Sequence, residues 1–228
     1  MRLSIVIPVL NDGQRLEHTL TQLQSLKSHA VELIVVDGGS VDNSVDIAEA
    51  LAHKVVISAA GRALQMNTGA QLSQSEYLLF LHADSQLPVT ILQSLDSWYL
   101  STEKWGFFKL QFDDNRWPYR MIASAINWRS SLTRVSSGDQ CQFFRREFFE
   151  QLGGFPNLAL MEDIAISKLA RRDIRPCIGS SHVLTSARRW QAHGWVKTIV
   201  FMWSCRLAYC IGVPTTWLAK MYYGKAKR

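Results

Sequence analysis

Up to Asp84 the sequence repeats one pattern four times: a short apolar run, then one or more polar residues where the run stops. Leu3–Val9 reads as a buried strand, and Asn11 with Gln14 resembles a capping pair for a helix with Leu16, Leu20 and Leu23 on one face. Residues 31–36 form a second strand that stops at Asp37-Gly-Gly-Ser40, after which Asp42 suits the cap of a helix carrying Val45, Ala48 and Leu51. Residues 55–58 lead into a helix over about 62–72, and residues 77–81 form a fourth strand that ends at His82-Ala-Asp84. Continuously apolar strands joined by helices cannot be closed by tight hairpins. They predict an α/β fold whose mostly parallel central sheet is covered on both faces.

The second half is less regular. Residues 106–112 and the apolar stretch near 140–144 read as strands, separated by a polar break over 113–118, and antiparallel additions to the sheet are expected there. No repeat, low-complexity tract or Pro/Gly/Ser linker interrupts the chain, so one domain is expected over 1–190, with an apolar helical extension over 191–228. The 228 residues are 47% hydrophobic and 19% charged, well inside the globular range, and the formal net charge of +6 favours anionic partners. Cys141, Cys177, Cys205 and Cys210 lack the spacing of a disulfide scaffold or zinc site and read as reduced thiols. The strand that begins at Leu3 leaves no room for a secretion leader, which predicts a cytoplasmic protein.

In an open α/β sheet, ligands bind beyond the carboxyl ends of the strands. Asn11-Asp12 follows the first strand, Asp37 the second, and His82-Ala-Asp84 the fourth. Taken singly, Asn11, Asp12 and Asp37 also suit helix caps or turns; their joint placement on one sheet edge points to a binding site. Asp37 can accept a hydrogen bond from a base or ribose, while Asp84 can hold Mg²⁺ or Mn²⁺ against a diphosphate, since hard cations take a few carboxylates, waters and phosphates. A dinucleotide-binding enzyme requires GxGxxG after the first strand, where this chain has Pro-Val-Leu-Asn-Asp-Gly13.

Further candidates follow the sheet. Arg62 begins a helix, where free N–H groups would add to its attraction for phosphate, although an exposed helical arginine explains it as well. Glu162 and Asp163 open an expected helix backed by Ile164, Ile166 and Leu169; they read either as a cap or as carboxylates held at a positive helix end. Arg188 and Arg189 suit phosphate and Trp190 suits a sugar face, with solvated charges beside a core tryptophan as the alternative. Asp139 suits a turn. His18, His29, His53, His182 and His193 share no metal-site spacing.

Five ordered motifs, Ile7-Pro-Val-Leu-Asn-Asp12, Val36-Asp-Gly-Gly-Ser40 with Asp42, Phe80-Leu-His-Ala-Asp84, Gly153-Gly-Phe155 and Met161-Glu-Asp163, resemble those of family 2 glycosyltransferases. The resemblance runs from about Leu3 to Trp190, and Gly-Arg-Ala, Leu-His-Ala-Asp and Ser-Ala-Arg-Arg-Trp are similar to signatures of a small bacterial cytosolic branch. It implies a GT-A fold and inverting transfer, dependent on Mg²⁺ or Mn²⁺, from a nucleoside-diphosphate sugar, with a UDP-sugar as the expected donor, to an acceptor hydroxyl. By motif, Asp37 resembles the uracil-binding aspartate, Arg62 a donor-contacting residue, Asp84 the metal-binding end of the DxD element and Asp163 the base, with Glu162 beside it. Pro8, Val9, Asn11, His82 and Ala83 fall in donor-side motifs, and Asp139 and Gln140 in an acceptor-side segment. His82 stands where the first DxD aspartate is usual, and Leu10 where many members place a tyrosine.

Two other classes are weighed. A sugar-nucleotide pyrophosphorylase calls for a basic glycine-rich loop after the first strand, and residues 8–13 contain no Lys or Arg. A nucleotide or nucleic-acid binding module is suggested by three Arg-Arg pairs and many aromatics, but no nucleic-acid motif accompanies them. Residues 195–223 are rich in apolar and aromatic side chains yet interrupted by Lys197, Arg206, Pro214 and Lys220, which excludes a spanning helix. This stretch is expected to pack on the catalytic domain or on a second subunit. The competing reading places it on the inner membrane surface, where Trp203, Tyr209, Trp217, Tyr222 and Tyr223, with Lys225, Lys227 and Arg228, favour anionic lipid and a lipid-linked acceptor.

Overall fold

The computed structural model describes residues 2–25, 31–88 and 103–224. Strand β1 (Leu3–Val9) pairs in parallel with β2 (Val31–Asp37) on one side and with β4 (Tyr77–Phe80) on the other, and β3 (Lys54–Ile57) extends the parallel block beyond β2. Helices α1 (Gly13–Leu23), α2 (Ser44–Leu51) and α3 (Arg62–Leu72) make the crossovers. β1 distributes its side chains by the two-residue period of a strand. Leu3, Ile5 and Ile7 meet Leu16 and Leu20 of α1 on one face, while Val6 meets Ala63, Met66 and Ala70 of α3 on the other.

The second half adds strands of mixed direction. The sheet order is β3-β2-β1-β4-β7-β6-β8-β5, comprising also β5 (Ser85–Gln86), β6 (Trp105–Phe112), β7 (Gln142–Arg145) and β8 (Cys177–Thr185). As expected for this half, β7 runs antiparallel to both β4 and β6, while β6 and β8 are parallel, with a register shift between Phe108 and Lys109. Phe144 of β7 stacks on Trp105 of β6 at 5.9 Å, and the aromatic core continues through Phe80, Phe149 and Phe155. Helices α4 (Trp117–Thr133), α5 (Arg146–Gln151), α6 (Glu162–Asp173), α7 (Arg188–His193), α8 (Trp195–Cys210) and α9 (Thr215–Gly224) complete the described chain. The C-terminal helices α8 and α9 bury Cys205 and Leu218 against Val135, Leu160 and Ile164.

Three local readings change. Asn11 is not part of a capping pair: it adopts φ 51°, its side chain accepts the Val41 N–H at 2.8 Å, and α1 starts after Asp12 without a side-chain cap. Asp42 accepts N–H groups from Ser44 at 3.1 Å and Gly13 at 3.0 Å, so it ties the starts of α1 and α2 together rather than occupying the cap position, which falls on Asn43. The polar break over 113–118 is followed by a helix of 17 residues, α4, with Pro118 in its first turn, where a missing N–H costs nothing. The four cysteines form no disulfide with one another; Cys141 and Cys205 are buried and Cys210 is exposed. No described helix is long and apolar enough to cross a membrane. His29, Lys225, Lys227 and Arg228 lie outside the described residues.

Helix α3 is locked under the strand ends in two ways. At Gly69 it comes so close to the sheet that a Cβ would stand 2.4 Å from Val6 Cγ1. One turn earlier, the buried Gln65 Nε2 donates to the carbonyls of Val9 and Val36, both at 2.8 Å, linking the ends of β1 and β2. Gln65→Leu removes both bonds and is expected to cost about 1–3 kcal/mol of stability. Denaturant unfolding at constant m-value measures this, and an unchanged midpoint would show that the bridge is not needed.

Candidate active site

β1 and β2 end side by side, β4 ends opposite Val6, and the segments that follow bring Asn11, Asp12, Asp37, His82, Ala83 and Asp84 to one sheet edge. Asp37 is fully buried; its Oδ1 accepts the N–H groups of Gly39 and Ser40, both at 2.7 Å, and its Oδ2 has no partner. Turn geometry accounts for one oxygen alone, and an orphaned buried carboxylate oxygen carries a desolvation cost unless a ligand supplies the donor. Pro8 is half-buried. Val9 is buried, and its carbonyl accepts the Gly38 N–H at 2.9 Å as well as Gln65, so these two residues shape the base of the edge. The Ala83 carbonyl accepts the Thr19 hydroxyl at 2.8 Å. Arg188 lies 3.3 Å from Asp12 Oδ2 and 3.8 Å from Asp84 Oδ2, which places a guanidinium between two strand-end carboxylates.

The opposite wall comes from the second half of the chain. His82 Nδ1 lies 3.2 Å from Asp139 Oδ1. The ring rests on Gly138, where a Cβ would meet it at 2.6 Å, so only glycine allows this approach. Surrounding protein raises the Asp139 carboxyl, but the His82 hydrogen bond and the charges of His82, Arg62 and Arg189 outweigh this and hold it below the usual carboxylate range. The Gly138 N–H donates to Asp163 Oδ2 at 2.6 Å, and the Ile164 N–H to Asp163 Oδ1 at 2.8 Å. Asp163 is thereby held at the start of α6 with lone pairs to spare. Beside it, Glu162 is buried 3.9 Å from Arg62 Nε, and burial, together with the charge of Asp163, pushes its carboxyl up despite Arg62. Three of the four described non-glycine residues with positive φ, Asn11, Cys141 and Met161, sit next to these segments, where strained backbone tends to gather at sites.

Not every candidate reaches the crevice. Gln140 is fully buried: its Oε1 accepts the Ser130 hydroxyl at 2.8 Å and the Ser137 N–H at 3.1 Å, so its amide holds the turn that presents Asp139. Trp190 packs edge-on to Phe112 at 5.7 Å, in a cluster with Tyr119 and Ile122. Arg189 lies 3.8 Å above the ring of Tyr222 of α9, and burial pushes the Tyr222 hydroxyl up to about 12 against the opposing charges of Arg189 and Arg62.

The sequence reading missed four contributors. Gln65 bridges β1 and β2. Gln142 Nε2 lies 3.0 Å from the Asp163 carbonyl and 2.7 Å from the Ser136 hydroxyl, tying β7 to α6; a lone glutamine opening an aromatic strand was the available signal. Arg129, on the unforeseen helix α4, has an unpartnered buried Nε in the field of Asp163 and Asp139. Tyr222 returns from the C-terminus to cover Arg189.

A mixed sheet with polar residues at its parallel strand ends and a helix-borne carboxylate pair beside them fits the GT-A class of fold. Solved structures agree. The mannosyltransferase PcManGT from Pyrobaculum calidifontis, in complex with GDP-Man and Mn²⁺, superposes with a TM-score of 0.68 at 21% identity, over 91% of this chain and 61% of that one. Staphylococcus aureus TarS 1–349 in complex with UDP-GlcNAc gives 0.64 at 16% identity, over 82% and 58%. The chain belongs to glycosyl transferase family 2, whose model matches residues 4–153. Among relatives, the poly(ribitol-phosphate) β-N-acetylglucosaminyltransferase TarP of Staphylococcus aureus is 28% identical over 103 residues, which is 41% of this chain and 32% of TarP. A mycobacterial PGL/p-HBAD biosynthesis glycosyltransferase from Mycobacterium bovis is 36% identical over 91 residues, 37% of this chain and 36% of its own. The matched segments thus span about a third of these relatives' lengths.

The buried Glu162 generates a test with a defined sign. Its folded-state pKa is raised above the unfolded value of 4.5, so its contribution to stability is full below that pH and is lost as pH rises through the raised value. Glu162→Gln stays neutral and escapes that loss. Its Tm should match the parent's in acid and exceed it increasingly toward neutral pH; parallel profiles would show that Glu162 is not perturbed.

Proposed function

We propose that the protein transfers the sugar of a nucleoside-diphosphate sugar, with a UDP-sugar as the preferred donor, to an acceptor hydroxyl with inversion. The observation that carries this reading is Asp37: a fully buried carboxylate at the end of β2, with one oxygen fixed by two N–H groups and the other unpartnered. The imide N–H of uracil is a donor of the kind that oxygen lacks. Arg62 at the start of α3 and Arg188 beside Asp84 supply positive charge for a diphosphate.

Asp84 would hold Mg²⁺ or Mn²⁺. No group of three or more His, Cys, Asp or Glu suited to a metal occurs among the described residues, and His82 is engaged with Asp139. One half-exposed carboxylate nevertheless suits a hard cation that takes its remaining ligands from diphosphate and water. When bound, the ion supplies charge to stabilise the departing diphosphate. Asp163 accepts the proton of the acceptor hydroxyl. The Gly138 and Ile164 N–H groups orient its carboxylate, and the buried Gln142 holds the backbone beneath it. Glu162 and Asp139 line the same wall.

A panel of UDP-, GDP- and other nucleotide sugars, scanned by thermal shift with and without Mn²⁺, tests the reading. Metal-dependent stabilisation by a UDP-sugar, with release of free nucleoside diphosphate on transfer, is expected; pyrophosphate-dependent formation of a nucleoside triphosphate would mark a pyrophosphorylase instead. Asp84→Asn should abolish most metal-dependent turnover with the fold intact, and unchanged metal-dependent donor binding by calorimetry would overturn the metal assignment. Asp163→Asn should keep donor affinity and lose ~100- to 10,000-fold in transfer rate, the usual worth of a positioned base. Transfer at the parental rate would place the base elsewhere.

A further inference from the structure

Exposed large apolar side chains are concentrated in one part of the molecule. On α4, Trp117, Met121, Trp128 and Leu132 are 65%, 47%, 68% and 67% exposed, and their spacing sets them along one side of the helix. On α8, Val196, Val200, Trp203 and Leu207 repeat the arrangement at 53%, 61%, 62% and 65%. Trp217 and Met221 continue it on α9. The helices are neighbours: the rings of Trp117 and Trp195 are 5.8 Å apart, and Trp195 and Ile199 of α8 pack on the cluster that holds Tyr119 and Ile122 of α4. Their inner faces make the core, and their outer faces carry these apolar side chains into solvent, where clustered apolar surface marks a binding face.

The helices of this surface carry charge of a single sign, although Asp113 and Asp114 precede α4 and Asp114 pairs with Arg116. The protein has 19 Asp and Glu residues, yet α4 contains none and none occurs between Asp173 and the end of α9. Arg120, Arg134, Lys197 and Lys220 are exposed on or beside the same helices. We propose that the carboxylate-free face of α4, α8 and α9 docks on an anionic lipid surface and presents the active site to a lipid-borne acceptor. Tryptophans seat at the headgroup boundary, aliphatic side chains enter the acyl region, and each surrounding Lys or Arg gains from anionic headgroups. A second copy of the chain fits less well, because an isologous contact would set these cations against one another. Nucleic acid would gain nothing from Leu132, Val200 and Leu207, which offer no ring to stack on a base.

Helix α4 connects this face to the chemistry. Its Ser130 hydroxyl donates to Gln140 Oε1 at 2.8 Å, inside the turn that carries Gly138 and Asp139, and Arg129 lies in the field of Asp163 and Asp139. One side of α4 therefore faces the lipid while the other supports the wall of the base. The lipid-borne acceptor rests on the transferase reading; the docking itself does not.

Flotation of the full chain with vesicles tests the proposal, with donor binding followed in parallel by calorimetry. Binding to phosphatidylcholine vesicles enriched in phosphatidylglycerol is expected, with little or none to phosphatidylcholine alone and progressive loss as salt rises. The triple variant Trp128→Glu, Trp203→Glu, Leu207→Glu should lower partition by roughly a hundredfold or more. Its Tm and UDP affinity should stay at the parental values. No flotation of the parent at low salt, or equal flotation of the variant, overturns docking. So does a parental dimer by light scattering that the same substitutions dissociate without any flotation. Flotation by a protein that binds no nucleotide sugar supports docking and sinks the transferase reading alone.

Discussion

The parallel pairing of β1 with both β2 and β4 is the constraint on which the rest of the structure depends. Val9 lies opposite Asp37, so β1 and β2 end together; β4 ends at Phe80, opposite Val6, and residues 81–84 run on from there, so the polar residues that follow the three strands emerge on one edge. Parallel neighbours require crossovers, which place α1 on one face and α3 on the other and leave the strand ends open above the sheet. Gln65 secures this edge from below by bonding two of the three strand ends. The crevice follows from connectivity, and the side chains at the ends of the strands give it its chemistry.

The facing wall obeys a different logic. It is assembled from segments far apart in sequence and is held by bonds among buried polar groups. The Gly138 N–H to Asp163 and the Gln142 side chain to Ser136, Ser167 and the Asp163 carbonyl join the turn before β7 to the first turn of α6. In low-dielectric surroundings such a network is strong when satisfied and costly when broken, so it fixes the carboxylate more firmly than an exposed helix cap could. Two adjacent carboxylates then occupy different environments: Asp163 accepts two N–H bonds, while Glu162 is buried and pushed toward its neutral form. Separation of this kind allows neighbouring acids to take different roles.

Charge is partitioned across the molecule in the same spirit. Carboxylates from four segments, Asp12, Asp84, Asp139 and the Glu162–Asp163 pair, gather around the crevice, and the arginines Arg62 and Arg188 lie among them. The helices that leave the crevice carry cations and exposed tryptophans with no acid. The net charge of +6 is thus not spread evenly along the chain: residues 174–228 contain nine Lys or Arg and no Asp or Glu.

The alternation of apolar runs and helical spacing up to Asp84 determined the parallel half of the fold, because a buried strand with helical neighbours has few ways to hide both faces. It also determined the sheet edge that carries Asp37 and Asp84, and the ordered motifs determined the family. Residues 117–133 were not legible as a helix, since α4 has a mixed surface with Trp and Leu exposed and its stability comes from packing Tyr119 and Ile122 on the sheet. Nor could the sequence tell that Gln140 is consumed inside its turn, that Trp190 packs on Phe112, or that Tyr222 returns to Arg189. Each of those outcomes depends on contacts between residues dozens of positions apart or on the depth at which a side chain is buried. Local pattern therefore set which elements form and where their polar ends fall, while only long-range packing decided which polar side chains face the crevice, which are held in the interior, and which apolar ones remain outside.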